Sequence, residues 1–439
     1  MKSVSIRHSI TLFLAKVSYQ LTVISAQNFN VETIKIENNP VMDYKESSHI
    51  KDWTFTPQQL SDVRTRANNE AYQFIQDRKN LEKQQKLEQQ QQREQHQQES
   101  SISTADDNAN AGASMPKQPP SNPPPIANSF AKGYKGSEDS TIASCVPEDA
   151  SASFPTPDEE ATLVEFYSAK LLTLVGPKAS IPKLTRDIKV ASTASLLLRR
   201  FFLSNSVTLF DPKTIMVACA FLACKVEDAT CDIRYIEDGT KQMSAHVKIK
   251  DIIEAEVALV KGVDFDLCCF HAYKVVLAYT EDLRTFLKSN DGKRCINKEN
   301  VSGEDLVPIY NMAREIVERV IFHSDIMLLS SPGKVGFAAM MLSNRRLVEK
   351  GKSKGTDVAV VEIDFRGYLN CRFANEKKEH EIEALWQEMI ILLNPLEKAM
   401  DKTELDIAVL KGIHKKLKKC RIWGKSESKK KKKRSRNER

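Results

Sequence analysis

The stretch RRFFLSNSVTLFDPKTIMVACAFL, residues 199–222, is partly repeated 120 positions later as RVIFHSDIMLLSSPGKVGFAAMML, residues 319–342. The two copies align without a gap and are identical at seven positions, namely Arg199/Arg319, Phe202/Phe322, Ser204/Ser324, Leu209/Leu329, Pro212/Pro332, Ala218/Ala338 and Leu222/Leu342. Each copy reads as the end of one helix, a short turn, an Asp or Ser before Pro, and then a mostly apolar helix. A helical unit duplicated at this period predicts two similar domains in tandem.

The composition favours helices throughout the folded part. The chain has 439 residues and only 15 glycines, and segments rich in Leu, Ala, Lys and Glu dominate it. This length is enough for two ordinary domains with extensions. We therefore predict an all-α protein with two tandem five-helix units.

An N-terminal helix is indicated ahead of the repeated units. Thr56 is a good N-cap, Pro57 suits the first helical position, and Gln59 can complete a capping box. The stretch from residue 81 to residue 153 is first glutamine-rich and then rich in Ser, Asn, Ala and Pro. Because such a composition buries little apolar surface, we predict a disordered insertion there.

The predicted organisation follows from these boundaries and from the apolar periodicity between them. Its segments are a poorly ordered extension (1–50), an N-terminal helix (51–80), the disordered insertion (81–153), a first unit (154–287), a linker (288–303), a second unit (304–400), a C-terminal helix (401–420) and a basic disordered tail (421–439). In the first unit, the fifth helix is predicted at about 272–286.

The positive charge of the chain is concentrated in its tail. Residues 411–439 carry fifteen Lys or Arg and two Glu, a net charge of +13. The other residues therefore have a net charge of −6, although that of the whole chain is +7. A fold that grips nucleic acid along its surface would be basic, so the folded part does not fit that class. Contact with nucleic acid is expected at most weakly, through the tail.

Nothing in the sequence indicates a catalytic, metal or cofactor site. The nine cysteines are odd in number and contain no C-x-x-C pair, which disfavours a disulfide framework and a zinc ribbon. A Gly-rich phosphate loop, an H-E-x-x-H motif and a G-x-S-x-G motif are all absent from the sequence. We predict that the protein is not an enzyme and needs no cofactor.

The N-terminus allows two interpretations. Lys2, Arg7 and the apolar run at 10–15 resemble a weak secretory signal. The run is short, and the cysteine usage and the basic tail disfavour export. We favour a loosely ordered extension or a misassigned start, and we expect no membrane partner because no later run is long enough to cross a bilayer.

Two charged residues stand out in apolar helices. Lys225 follows the all-round apolar helix that begins after Asp211, and Glu256 lies between Ile253 and Val257. Lys225 could contact the last carbonyls of its own helix, and Glu256 could be an ordinary solvated position. The alternative is that the two residues clamp backbone groups of a partner, with Lys donating and Glu accepting.

The segment FLACKVE, residues 221–227, together with Glu256 nine residues before FDL, residues 265–267, resembles the cyclin box. In that family the matching lysine and glutamate contact a kinase beside its regulatory C-helix, and the apolar residues after the glutamate join the interface. The resemblance therefore implies that Lys225, Glu256, Phe265 and Leu267 bind a cyclin-dependent kinase. It also implies two consecutive cyclin folds with a helix at each end of the pair.

Within the family, the cyclin H group shows the greatest resemblance. The segment around Trp53, Phe55 and Arg64 resembles its N-terminal helix, so these three residues are candidate contacts of that helix. The group implies a CDK-activating kinase as partner, a third assembly subunit and the general transcription factor H complex. The insertion departs from the family, and the substrate-docking motif of cell-cycle cyclins is missing near residues 188–198.

The resemblance also implies nuclear localisation, with a signal in the basic tail formed by Lys429, Lys430, Lys431, Lys432, Lys433 and Arg434. Lysine runs otherwise form solvated ends. Three other readings of the protein remain open: another transcription-type cyclin of the C, K or L kind, a two-cyclin-fold DNA-binding factor like the general initiation factor B, and a purely structural helical scaffold.

Overall fold

The chain folds into α-helices throughout the residues that the computed structural model describes, which are 47–102, 130–135, 142–243, 245–298, 301–354, 361–374, 377–402 and 405–424. No strand forms within these ranges, and one isolated antiparallel bridge joins Ile296 to Ile363. The predicted all-α class is confirmed. None of the helices found there is long and apolar enough to cross a membrane.

The helices are numbered in chain order. They are α1 (Ser48–Trp53), α2 (Pro57–Ile102), α3 (Pro157–Val175), α4 (Ile188–Ser204), α5 (Pro212–Val226), α6 (Ile233–Gln242), α7 (Ile249–Gly262), α8 (Ala272–Phe286), α9 (Asn290–Arg294), α10 (Gly303–His323), α11 (Ile326–Leu329), α12 (Pro332–Lys354), α13 (Phe365–Phe373), α14 (Glu379–Asp401) and α15 (Ile407–Cys420).

Local sequence signals set the starts of the first-unit helices. The Thr156 hydroxyl accepts a hydrogen bond from Glu159 N, and the Glu159 carboxylate accepts one from Thr156 N, so α3 begins with a complete capping box. The side chains of Asp187 and Asp211 cap α4 and α5, each accepting a hydrogen bond from the amide two residues later. Both of these helices lie centrally, with nearly every side chain buried.

Packing divides the helices into two sets of five. In the first set, α3, α4 and α5 pack on one another, and α6 and α7 complete the layer around α5. In the second set, α8 packs against α10 and α12, and α13 and α14 complete the layer. The first copy of the repeated stretch spans parts of α4 and α5, and the second spans parts of α10 and α12. The two pairs hold the same central position in their sets.

The division between the sets differs from the sequence prediction. The prediction ended the first unit at residue 287 and took Ala272–Phe286 as its fifth helix, whereas α8 packs mainly with the second set. The missing first-unit helix is α6, which has only ten residues, is polar on average and buries only Ile236, Gly239 and Thr240. The predicted linker 288–303 also contributes to packing, because it contains α9 and buries Cys295.

The predicted disordered insertion is partly ordered. Helix α2 continues to Ile102 and has 46 residues, about 69 Å at 1.5 Å per residue. Gln, Glu and Lys are good helix formers, so the helix extends past the buried Ile75, and the side chains of residues 86–94 are exposed. Further along, residues 130–135 and 142–153 lie against α1, α2 and the first set. Residues 1–46, 103–129, 136–141 and 425–439, including the predicted signal at 429–434, lie outside the described residues.

The N-terminal segment joins the two sets. Trp53 and Phe55 are buried in a cluster with Leu203 of α4 and Leu328 of α11. The Asp325 carboxylate forms ion pairs with Arg64 of α2 at 2.8 Å and with Arg199 of α4 at 2.6 Å. Burial alone would raise the pKa of Asp325, but the two guanidinium groups outweigh it and lower the pKa. One carboxylate thus connects α2, the first set and the second set.

The C-terminal helix returns to the first set. Leu410, Ile413 and Leu417 are buried, and Lys416 forms an ion pair of 2.8 Å with Glu159 at the start of α3. Ile407, which the apolar periodicity placed on the same face, is exposed at the first turn of α15.

Candidate functional site

Lys225 and Glu256 meet in the folded chain. Lys225 lies in the last turn of α5 and Glu256 in the middle of α7, and the Lys225 Nζ forms an ion pair with the Glu256 Oε1. The side chains remain 32% and 16% exposed. Phe221, one turn before Lys225, places its ring 4.4 Å from the ammonium nitrogen, a cation–π distance. Lys225 therefore pairs with Glu256 in addition to any interaction with its own helix end.

The pair keeps hydrogen-bonding capacity toward the outside. An ammonium group has three donors and a carboxylate has several acceptor positions, so one mutual contact does not exhaust either group. Because both side chains are partly accessible, a docking backbone can accept from Lys225 and donate to Glu256 at the same place. This geometry suits recognition of an exposed main-chain segment such as a helix end.

Exposed apolar side chains surround the pair on α7. Ile253 is 48% exposed and Val257 is 52% exposed, while Ile252, Ala255 and Leu259 face the core. The sequence indicates Ile253 and Val257 only as part of an apolar helix, whereas in the structure both are surface residues. Their exposure could be inferred from the sequence, because Ile253 and Val257 fall outside the i, i+3, i+7 stripe of apolar residues that faces the core.

Phe265 and Leu267 have different surroundings although they are two residues apart. Phe265 is 57% exposed and has a φ of +57°, whereas Leu267 is buried in the core. Of the four residues predicted to bind a kinase, Lys225, Glu256 and Phe265 are accessible and Leu267 is not. We call the accessible set the Lys225 patch; it consists of Phe221, Lys225, Ile253, Glu256, Val257 and Phe265.

A buried polar cluster lies behind Phe265. The Trp53 indole Nε1 donates to the Asp266 Oδ2 at 2.9 Å, and the Arg200 guanidinium donates to the Cys268 carbonyl at 2.9 Å and to the His49 Nδ1 at 3.0 Å. Burial, and then the Arg200 charge, lower the pKa of His49 well below its usual value. The imidazole is therefore neutral, so its Nδ1 can accept the hydrogen bond from Arg200.

The predicted N-terminal helix contacts lie inside the molecule. Trp53 and Phe55 are almost fully buried, and Arg64 is engaged with Asp325. These residues fix the N-terminal segment to both sets of helices. Surface contact of that segment with a partner would have to come from other positions.

Metal-ligating groups are not assembled in the part of the chain that the structure describes: no three His, Cys, Asp or Glu side chains are arranged there to hold an ion.

The chain has clear relatives among known proteins. The family model for the cyclin N-terminal domain matches residues 183–268, which end just before α8. A putative cyclin-H of Dictyostelium discoideum is 26% identical over 189 residues, 43% of this chain and 60% of that protein. Cyclin-H1-1 of Arabidopsis thaliana is 25% identical over 382 residues, 86% of this chain and 88% of that protein.

The fold also has a solved counterpart. A chain in the CAK complex of Chaetomium thermophilum bound to ATP-γ-S has a TM-score of 0.54 and 21% identity, over 86% of this chain and 88% of that one. At this identity the likeness concerns the fold alone. The resemblance inferred from FLACKVE and Glu256 is confirmed: residues 183–268 match the cyclin N-terminal domain, and the chain is similar to relatives named cyclin-H.

Proposed function

We propose that this chain is the non-catalytic, activating subunit of a cyclin-dependent kinase, and that the kinase is of the CDK-activating type. The observation that carries the proposal is the Lys225 patch. A half-buried ion pair with spare donors and acceptors lies at its centre, and exposed apolar side chains surround it. Exposed apolar side chains beside a charged pair that can contact main-chain groups are suited to a protein interface.

The mechanism is one of positioning. Docking of the patch beside the kinase C-helix would press that helix inward, so that its glutamate pairs with the strand lysine that holds the ATP phosphates. Lys225 and Glu256 would anchor main-chain groups next to the helix, and Phe265 would fill an apolar pocket. The cyclin contributes no group to phosphate transfer itself.

The substrates and further partners belong to the same proposal. The relatives named cyclin-H and the CAK complex that shares the fold support a CDK-activating role. Its substrates would be the activation loops of other cyclin-dependent kinases and the C-terminal domain of RNA polymerase II. A third assembly subunit, membership of general transcription factor H and a nuclear location directed by Lys429–Arg434 complete the proposal.

A binding titration tests it. The full chain, Lys225→Ala, Glu256→Ala and Lys250→Ala would each be titrated against a CDK-activating kinase subunit. Removing one member of a charged pair that is desolvated by the partner costs about 2 kcal/mol or more, so each of the first two variants should bind about 30-fold more weakly.

Lys250 is the matched control. It lies on α7 with Glu256 but is 82% exposed in a 3.7 Å surface pair with Glu254. Its loss should change the affinity by less than about threefold. Equal binding by all four proteins, or no binding by a folded wild type, would contradict the proposal.

A further inference from the structure

The turn that contains Phe265 has an unfavourable backbone conformation. Asp264 and Phe265 are consecutive non-glycine residues in the left-handed region, with φ values of +51° and +57°. Their amides close the end of α7 by donating to the Lys261 carbonyl at 3.0 Å and to the Val260 carbonyl at 2.9 Å. Glycine is the usual residue in such a helix end, so this turn needs support from its surroundings. We call residues 264–268 the Phe265 turn.

The first support comes from Trp53 and Arg200. Trp53 donates its buried Nε1 to the Asp266 carboxylate at 2.9 Å. Arg200, also fully buried, donates to the carbonyls of Asp266 at 3.4 Å and Cys268 at 2.9 Å, and its guanidinium lies 4.9 Å from the Trp53 ring. The residues that follow Phe265 are therefore tied to Trp53 of the N-terminal segment and to Arg200 of α4.

The second support comes from residues 130–135, which we call the strap. The Lys132 Nζ forms an ion pair of 3.3 Å with Asp264, and the Gly133 amide donates to the Asp52 carbonyl at 2.9 Å. Next to Lys132, Ala131 is buried and its amide donates to the Ser204 hydroxyl at 3.0 Å. The strap thus covers α1 and reaches the Phe265 turn.

Gly133 gives the strap a sequence requirement. Its φ is +69°, and a Cβ there would meet the Asp52 Oδ1 at 3.4 Å. An L side chain is strained in this conformation, so the glycine allows the strap to approach α1.

We infer that Trp53 and the strap are positioning elements that hold Phe265 in its exposed, partner-ready conformation. The interpretation of Phe265 as a kinase contact rests on the proposed function; the holding of the turn does not. The insertion between α2 and α3 thereby acquires a role, because its residues 130–135 act on the Lys225 patch through the Phe265 turn. Release of the strap would weaken partner binding without altering Lys225 or Glu256.

Hydrogen–deuterium exchange on the free, full-length chain tests the positioning. Trp53→Phe removes the indole donor but keeps an aromatic ring, and Gly133→Ala strains the strap. Both should speed amide exchange in peptides covering 264–268 by about tenfold or more, and leave α5 peptides unchanged. Lys83→Ala, on the exposed part of α2, is the control. Unchanged exchange at 264–268 in both variants would overturn the inference.

A double-mutant cycle tests the consequence for binding. Wild type, Trp53→Phe, Phe265→Ala and the double variant would be titrated with the kinase subunit. If Trp53 acts through Phe265, Trp53→Phe should weaken binding about tenfold in the wild-type background and less than about threefold when Phe265 is already Ala.

The alternatives in this cycle are distinguishable. Additive losses would mean that Trp53 supports the fold generally, and would overturn its role as a positioning residue. A Phe265→Ala variant that binds like wild type would contradict the proposed contact, and the exchange experiment would still decide whether Trp53 and the strap hold the turn.

Discussion

His323 occupies an unusual electrostatic position at the end of α10. Its ring is half-buried, and Arg319, Arg199 and Lys402 lie close enough to repel a proton. Burial, followed by these three charges, lowers its pKa from 6.5 to about 4. The ring is therefore neutral in the folded protein at pH values where it is protonated in the unfolded chain.

This difference predicts an acid sensitivity. The unfolded state binds more protons than the folded state between the two pKa values, so stability is complete above about pH 6.5 and falls as the pH drops toward 4. Over this pH range the free energy of unfolding of His323→Gln should fall by about 1 kcal/mol less than that of the wild type. This figure allows for solvent screening of a half-exposed group.

Urea unfolding at several pH values measures the effect. At pH 7.5 both states of the wild type carry a neutral ring, so the difference between the two proteins there reports packing alone and serves as reference. Stability curves that run parallel from pH 7.5 to pH 4.5 would contradict the assigned pKa shift.

At the level of single residues, the sequence allows part of the patch to be predicted. Lys225 and Glu256 can be found because charges in apolar helices are conspicuous and because their spacing matches a known family. The difference between exposed Phe265 and buried Leu267 cannot be found this way, since it depends on the left-handed backbone at 264–265. Trp53, which the resemblance gives as a candidate contact of the N-terminal helix, is a core residue.

Among the helices, α2 combines two stretches of different stability. Leu60, Val63, Ala67, Ala71 and Ile75 are buried, whereas the side chains of residues 88–94 are all exposed. The outer stretch relies on good helix formers and on surface contacts such as the 3.6 Å pair between Arg78 and Glu82. Helices without tertiary packing are marginal in water.

We therefore expect a steep gradient of amide exchange along α2. Peptides covering 84–94 should exchange at least about 100-fold faster than peptides covering 60–75. Peptides from α5, which is enclosed by other helices, provide the protected reference. Uniform protection up to residue 94 would contradict this account and would mean that another part of the protein covers the outer stretch.

Helix starts and helix ends differ in how well the sequence predicts them. The α2 start is confirmed, because Thr56 Oγ1 accepts from Gln59 N at 3.2 Å and Gln59 Oε1 accepts from Thr56 N at 3.0 Å. Its end was predicted near residue 80 because apolar periodicity stops there, yet helix propensity carries it to Ile102. The reason differs for α6, which the sequence does not predict because its ten residues are few and polar on average.

For the whole molecule, the repeat predicts two units but does not place the boundary between them. The identical residues fall in α4–α5 and α10–α12, so neither end of a unit lies in the repeated stretch. Shifting α3 by the 120-residue period gives 277–295, which overlaps α8 and indicates that α8 opens the second unit. The family model, which ends at residue 268, agrees with that boundary.

The units are held together by contacts that no local pattern reveals. Arg64, Arg199 and Asp325 come from three separate parts of the sequence and form one ion network. Such a network requires the folded arrangement before its members can be paired, which is why Arg64 was interpreted only by resemblance.

The most direct test of the account is a kinase activation assay. Wild type, Lys225→Ala, Glu256→Ala and Lys250→Ala would be added to a cyclin-free CDK-activating kinase subunit, and phosphate transfer to a polymerase-tail peptide and to an activation-loop substrate would be followed. We predict activation by wild type and by Lys250→Ala, with about 30-fold more protein needed for half-maximal activation by the other two variants. A folded wild type that activates neither reaction, or Lys225 and Glu256 variants that activate as well as wild type, would contradict the central claim.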